Sequence, residues 1–149
     1  MTRTPLLLVA AATLLLALPT IASADNATLT TTLNTWSQKI GADAHSVALA
    51  AQRAHPRRMI YSARRFHRDA LHARAAIYAQ KASTANGTKA RRLALTAFTN
   101  FAIAGSKWVA SGRARLAHHR AISIAAAKAG ARYAHAGDTL LVQAGTLLG

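Results

Sequence analysis

The chain has no cysteine and no glutamate. Its only acids are four aspartates, at positions 25, 43, 69 and 138, set against 19 lysines and arginines. Each shortage removes a class of chemistry. Without cysteine there is no disulfide framework and no thiolate nucleophile or thiolate metal site. Without glutamate, and with the aspartates scattered, no carboxylate pair close in sequence is available for general acid–base work. A serine triad needs Ser, His and Asp brought together. Asp43, His45 and Ser46 are near in sequence, but on a helix they point in different directions and read as exposed polar residues. No glycine-rich phosphate loop exists, because Gly105 to Gly112 lacks the Lys-Ser/Thr ending and a preceding strand. The inventory therefore assigns no catalytic residue and no cofactor, and the expectation is a protein that is not an enzyme.

What is present begins with a leader. Arg3 precedes an apolar run from Leu6 to Leu18, and Ala22-Ser23-Ala24 offers small residues for cleavage before Asp25. The run is short for a membrane-spanning helix, which needs roughly 20 residues. Residues 1–24 are read as a signal peptide, so the protein is expected to be secreted or held in the cell envelope. The remaining 125 residues, 25–149, suit one domain. Leu, Ile, Val and Phe make only 23 of those 125, a level at which a highly charged chain approaches disorder. Against that stand 32 alanines in the same stretch, and alanine is the best helix former.

Apolar spacing is helical throughout, with no alternating strand pattern. The first helix is expected to start after Asn26. Its stripe is Leu29, Leu33, Trp36, Ile40, Ala44, Val47 and Ala51, and it stops at Pro56. The second, from about Arg57 to Ala85, puts Met59, Phe66, Ala70, Ala73 and Ile77 on one side. Arg57, Arg64, Arg65, Arg68 and His72 lie on the other, with Arg58 at the edge. Asn86-Gly87 is expected to end it and Thr88 to cap a third helix running to about Ala110. A fourth is expected from about Arg113 to Leu148, with Gly112 as the separator and Gly130 and Gly137 as potential interruptions. Small residues recur four apart at Ala102, Ser106, Ala110 and Ala114, and again at Ala117, Ala121, Ala125 and Ala129. This suits close helix approach. The fold class is all-α: a small, alanine-rich antiparallel bundle of four helices, or three with one long and bent.

Charge carries the functional expectation. From Arg53 to Arg92 there are eleven lysines and arginines and one acid, Asp69. A second cluster is Arg113, Arg115, His118, His119 and Arg120. A face that only confers solubility mixes signs; this one does not. The expected partner is a polyanion: nucleic acid, an acidic cell-wall polymer or an anionic membrane surface. No nucleic-acid-binding motif is present, so contact is expected to be independent of sequence. The candidate contacts are Arg57, Arg58, Arg64, Arg65 and Arg68, supported by Arg91, Arg92, Arg113, Arg115 and Arg120. Seven histidines add charge on acidification.

Two other readings compete. One is a metal-handling protein of the envelope. No two histidines stand four apart, the usual helical zinc spacing, and the weak candidates are Asp69 with His72 and His135 with Asp138. The other is an interaction module that pairs with another copy or another chain. Asn26-Ala27-Thr28 and Asn86-Gly87-Thr88 match the N-glycosylation acceptor pattern, which matters only in a host that glycosylates exported proteins.

Overall fold

The computed structural model describes residues 21–149. The leader assigned to residues 1–24 lies outside the described residues as far as position 20; positions 21–24 form the first turn of α1. Among the described residues there are four helices and no strands: α1 (Ile21–Gln52), α2 (Pro56–Ala79), α3 (Ala85–Leu116) and α4 (Arg120–Leu148). No described helix is long and apolar enough to cross a membrane.

Short connections make each helix run back along the one before it. Residue contacts give the direction: Lys39 and Asp43 of α1 reach Asp69 and Arg65 of α2. His67 of α2 meets Ala102 of α3, and Ser111 of α3 bonds Ser123 of α4. The helices pack in sequence order. The α2–α3 and α3–α4 seams are extensive, α1 rests mainly on α2, and α2 and α4 do not meet. The result is an antiparallel four-helix bundle in which α1 also touches α3 and α4 at a few points.

The expected core faces of α1 and α2 are the ones buried. Leu29, Leu33, Ile40 and Val47 of α1 join Met59, Phe66, Ala70, Ala73 and Ile77 of α2 in one cluster. Large side chains are few, so a line of aromatics fills the middle. Phe66 meets Phe101 edge-on at 5.9 Å and Trp108 at 5.1 Å, and Phe98 meets Phe101 at 6.0 Å. Such pairs contribute beyond the area they bury. Room for these rings comes from glycine. Gly130 of α4 lies against Trp108 and Gly137 against Phe101, so a β-carbon at either would sit within 2.6 Å of the ring. Neither glycine interrupts α4. At Gly105 the approach is of backbone to backbone, since a β-carbon there would lie 2.8–3.0 Å from the Cβ, Cα and N of His67 on α2.

Several expected boundaries move. Asn26 lies inside α1 and donates to Thr84 Oγ1. The second helix ends at Ala79, and Asn86-Gly87 falls in the first turn of α3, capped by Thr84 through Gly87 N–H. Gly112 is no separator: it is buried within α3 against Ile60 and the Pro56 carbonyl. Of the expected small-residue series, Ala102 and Ala114 are buried, joined by Ala90, Ala94, Ala97, Ala104 and Gly105, whereas Ser106, Ala110, Ala117, Ala121 and Ala125 face solvent.

The break between α3 and α4 comes at residues 117–119, and it repeats the break between α1 and α2. In the first turn His55 N–H bonds the Ala50 carbonyl and Ala54 N–H bonds that of Ala51. In the second, His119 N–H bonds Ala114 and His118 N–H bonds Arg115. This is the Schellman pattern, with a left-handed residue after the helix. Ala54 (φ 55°) and His118 (φ 58°) fill that position in place of the usual glycine, a local strain of roughly 1–2 kcal/mol each.

Candidate functional site

Because the helices alternate in direction, the α1–α2 and α3–α4 turns lie at the same end of the bundle. The α1–α2 turn brings Arg53, Arg57 and Arg58; the α3–α4 turn brings Arg113, Arg115 and Arg120. All six are exposed. A groove of about 490 Å³ joins the two sets, lined by His55, Pro56, Arg57 and Arg58 of one and Leu116 of the other. A second, also about 490 Å³, is lined by Arg115, His118, Arg120, Ser123 and Ile124.

No aspartate stands at this end. Asp25 bonds Ser83 at the opposite end, and Asp43 and Asp69 sit midway along the α1–α2 seam. Two helices also start here. Neither His55 before α2 nor His119 before α4 caps its helix with a side-chain hydrogen bond, and neither first turn holds an acid. Helix N-termini carry partial positive charge and free N–H groups. Arg57, Arg58 and Arg120 add cations where the helix would be better served by anions. The side-chain charges here are all of one sign, while the helix ends beneath largely offset one another, since α1 and α3 finish where α2 and α4 begin.

The other expected contacts are placed elsewhere. Arg64 and Arg68 are exposed along α2, Arg68 lying 3.7 Å from Asp69. Arg92 is exposed near the start of α3, toward the far end. Two leave the exposed set. Arg65 turns into the α1–α2 seam, where its Nε donates to Asp43 Oδ1 at 2.6 Å and its Nη2 to Ser46 at 3.2 Å. Arg91 folds back to donate to the Ile77 and Tyr78 carbonyls, satisfying the end of α2, and stacks on the Tyr78 ring. A helical wheel puts Arg65 on the outer face of α2 but takes no account of a buried acid on α1.

That acid corrects another expectation. Asp43 is 4% exposed, not on the solvent side of α1; Ser46 is half-buried, and only His45 faces out. Asp69, also 4% exposed, meets it from α2. The two carboxyl groups are close enough to shift each other's titration. Asp43 Oδ2 is buried with no hydrogen-bond partner among the described residues. Burial, then the neighbouring Asp69 carboxyl, push Asp43 above the ordinary 3.8, against the pull of Arg65. Burial also acts to raise Asp69. The neighbouring Asp43 carboxyl, with Lys39 at 3.4 Å and Arg68 beyond, outweighs burial and leaves Asp69 below 3.8.

The two shifts act on stability in opposite senses. Above 3.8 and up to Asp43's raised value, the folded chain holds a proton that the unfolded chain has lost, so stability falls as pH rises through that window. The contribution of Asp69 is present above 3.8 and is lost as pH falls through its lowered value. Stability from this pair therefore peaks between the lowered value of Asp69 and the raised value of Asp43. Asp43→Asn is neutral beside Asp69 at every pH. In urea titrations across pH it is expected to lack the high-side fall and to exceed the wild type above it. The seven histidines are common to both chains and cancel in the comparison. A midpoint for the variant that declines in parallel with the wild type would contradict the raised Asp43.

Among the metal candidates, Asp69 is committed to Asp43, Lys39 and Arg68. His72, His135 and Asp138 are exposed. No group of three or more His, Cys, Asp or Glu gathers among the described residues.

Comparison with protein families, with curated proteins and with solved structures finds no match to this chain.

Proposed function

We propose that this is an exported, non-enzymatic helical protein that holds anionic polymers or surfaces at the cationic end of its bundle, without sequence specificity. What carries the proposal is the convergence of Arg57, Arg58, Arg113, Arg115 and Arg120 from two turns, with no carboxylate among them. Arg64 and Arg68 extend the surface along α2. Arg65 and Arg91 support the fold and not the contact.

Charge-driven binding releases counterions, so it weakens with salt in proportion to the phosphates neutralised. For about six contacts on duplex DNA, the log–log slope of affinity against salt is expected near −5. A titration at several salt concentrations measures it, and a flat response would end the proposal. His55, His118 and His119 are exposed at this end.

A further inference from the structure

We infer that the anionic partner of this end is a phospholipid surface, an identification that rests on the polyanion reading above and narrows it. The observation is the company the arginines keep. Leu116, Ile122 and Ile124 are 43%, 60% and 45% exposed, and all three lie within about two turns of the α3–α4 connection. Leu116 shares a groove with Arg57 and Arg58, and Ile124 shares one with Arg115 and Arg120. Ile122 and Ile124 stand two residues apart and leave α4 on different sides, so the three aliphatics ring this end instead of forming one side patch; set among polar residues in this way they mark a contact surface.

Aliphatic side chains among one-signed cations match an interface in which phosphate lies above hydrocarbon. Guanidinium groups take the headgroup phosphates as two-point partners, while leucine and isoleucine reach the acyl boundary. A nucleic-acid backbone offers phosphate but nothing apolar for these three side chains, and single strands call for exposed aromatics to stack on. A second copy of the chain would meet the same arginines with the same sign of charge. The bundle thus approaches the surface end-on, with the α1–α2 and α3–α4 turns down.

The test uses the chain as its host exports it and three probes: phosphatidylglycerol/phosphatidylcholine vesicles, phosphatidylcholine-only vesicles, and duplex DNA. Leu116→Ser/Ile122→Ser/Ile124→Ser is expected to weaken binding to the anionic vesicles by roughly tenfold or more, from lost apolar burial alone, and to leave DNA binding unchanged. Ile122→Leu/Ile124→Leu is expected to bind vesicles as the wild type does. Circular dichroism checks that each variant keeps its helix content. If the serine variant binds anionic vesicles like the wild type, or the wild type binds DNA but not those vesicles, the lipid assignment is overturned and the polyanion reading stands. If the serine substitutions change the mass of the free protein in solution and not vesicle binding, the aliphatics serve self-association and the assignment again falls. If the wild type binds neither DNA nor anionic vesicles, both readings fall.

Discussion

Replacing Arg57, Arg58, Arg115 and Arg120 together by glutamine is expected to weaken binding to duplex DNA or anionic vesicles by roughly a thousandfold at low salt. Each cation close to an anionic surface contributes about 1 kcal/mol, and every 1.4 kcal/mol is about tenfold in affinity. The log–log salt slope on DNA is expected to shrink by about 3 to 4, because four fewer counterions are released. Since all four side chains are exposed and none has a hydrogen bond or ion pair among the described residues, helix content is expected to persist. Arg65→Gln and Arg91→Gln supply the contrast. Both arginines bond internally, so these changes are expected to lower the unfolding midpoint and leave affinity nearly unaltered. Equal loss of affinity from both sets would mean that total charge, and not its placement at one end, governs binding.

Phe66→Ala is expected to cost about 3–5 kcal/mol, the range for removing a fully buried ring. That approaches the whole stability of a marginal domain, which starts near 5 kcal/mol. Phe66 is 0% exposed, and its ring is the one that carries α2 onto both Phe101 and Trp108 of α3. Its helical neighbours in the core are alanines, Ala63, Ala70 and Ala73, which have no length with which to fill the space left. Backbone cannot close in either, because Gly105 already brings α3 against the backbone of His67. Urea unfolding followed by circular dichroism measures the loss. A cost under about 1 kcal/mol would show that the aromatic line is not what holds α2 to α3. Asp69 lies one turn from Phe66 on the same buried side of α2, the acid turned toward α1 and the ring toward α3.

Most of the fold was legible before any coordinates. Seven-residue regularity in α1, the Met59–Ile77 stripe of α2 and the dearth of β-branched runs dictate helices and their buried sides, because periodicity alone selects which side chains can share a face. Helix ends were less legible. The rule that glycine terminates helices pointed to Gly87 and Gly112, yet both serve close approach inside α3, and the left-handed residues are Ala54 and His118. Local preference for glycine at that position is worth only about 1–2 kcal/mol, and packing on both sides of each turn exceeds it. Of the site, the arginine-rich composition and the single sign of charge were plain. Which arginines stand free was not.

Composition and periodicity by themselves determined an all-helical, alanine-rich, strongly cationic chain with one apolar stripe on each of its first two helices. They do so because helix propensity and burial act residue by residue. Only the tertiary structure decided that the turns at Ala54 and His118 form one cationic end, that Arg65 and Arg91 turn inward, and that Asp43 and Asp69 are buried side by side. Each of these depends on which helix faces which and in what register. That is a long-range outcome of ring-into-glycine packing between α3 and α4 and backbone contact between α2 and α3, and it leaves no local mark in the order of residues.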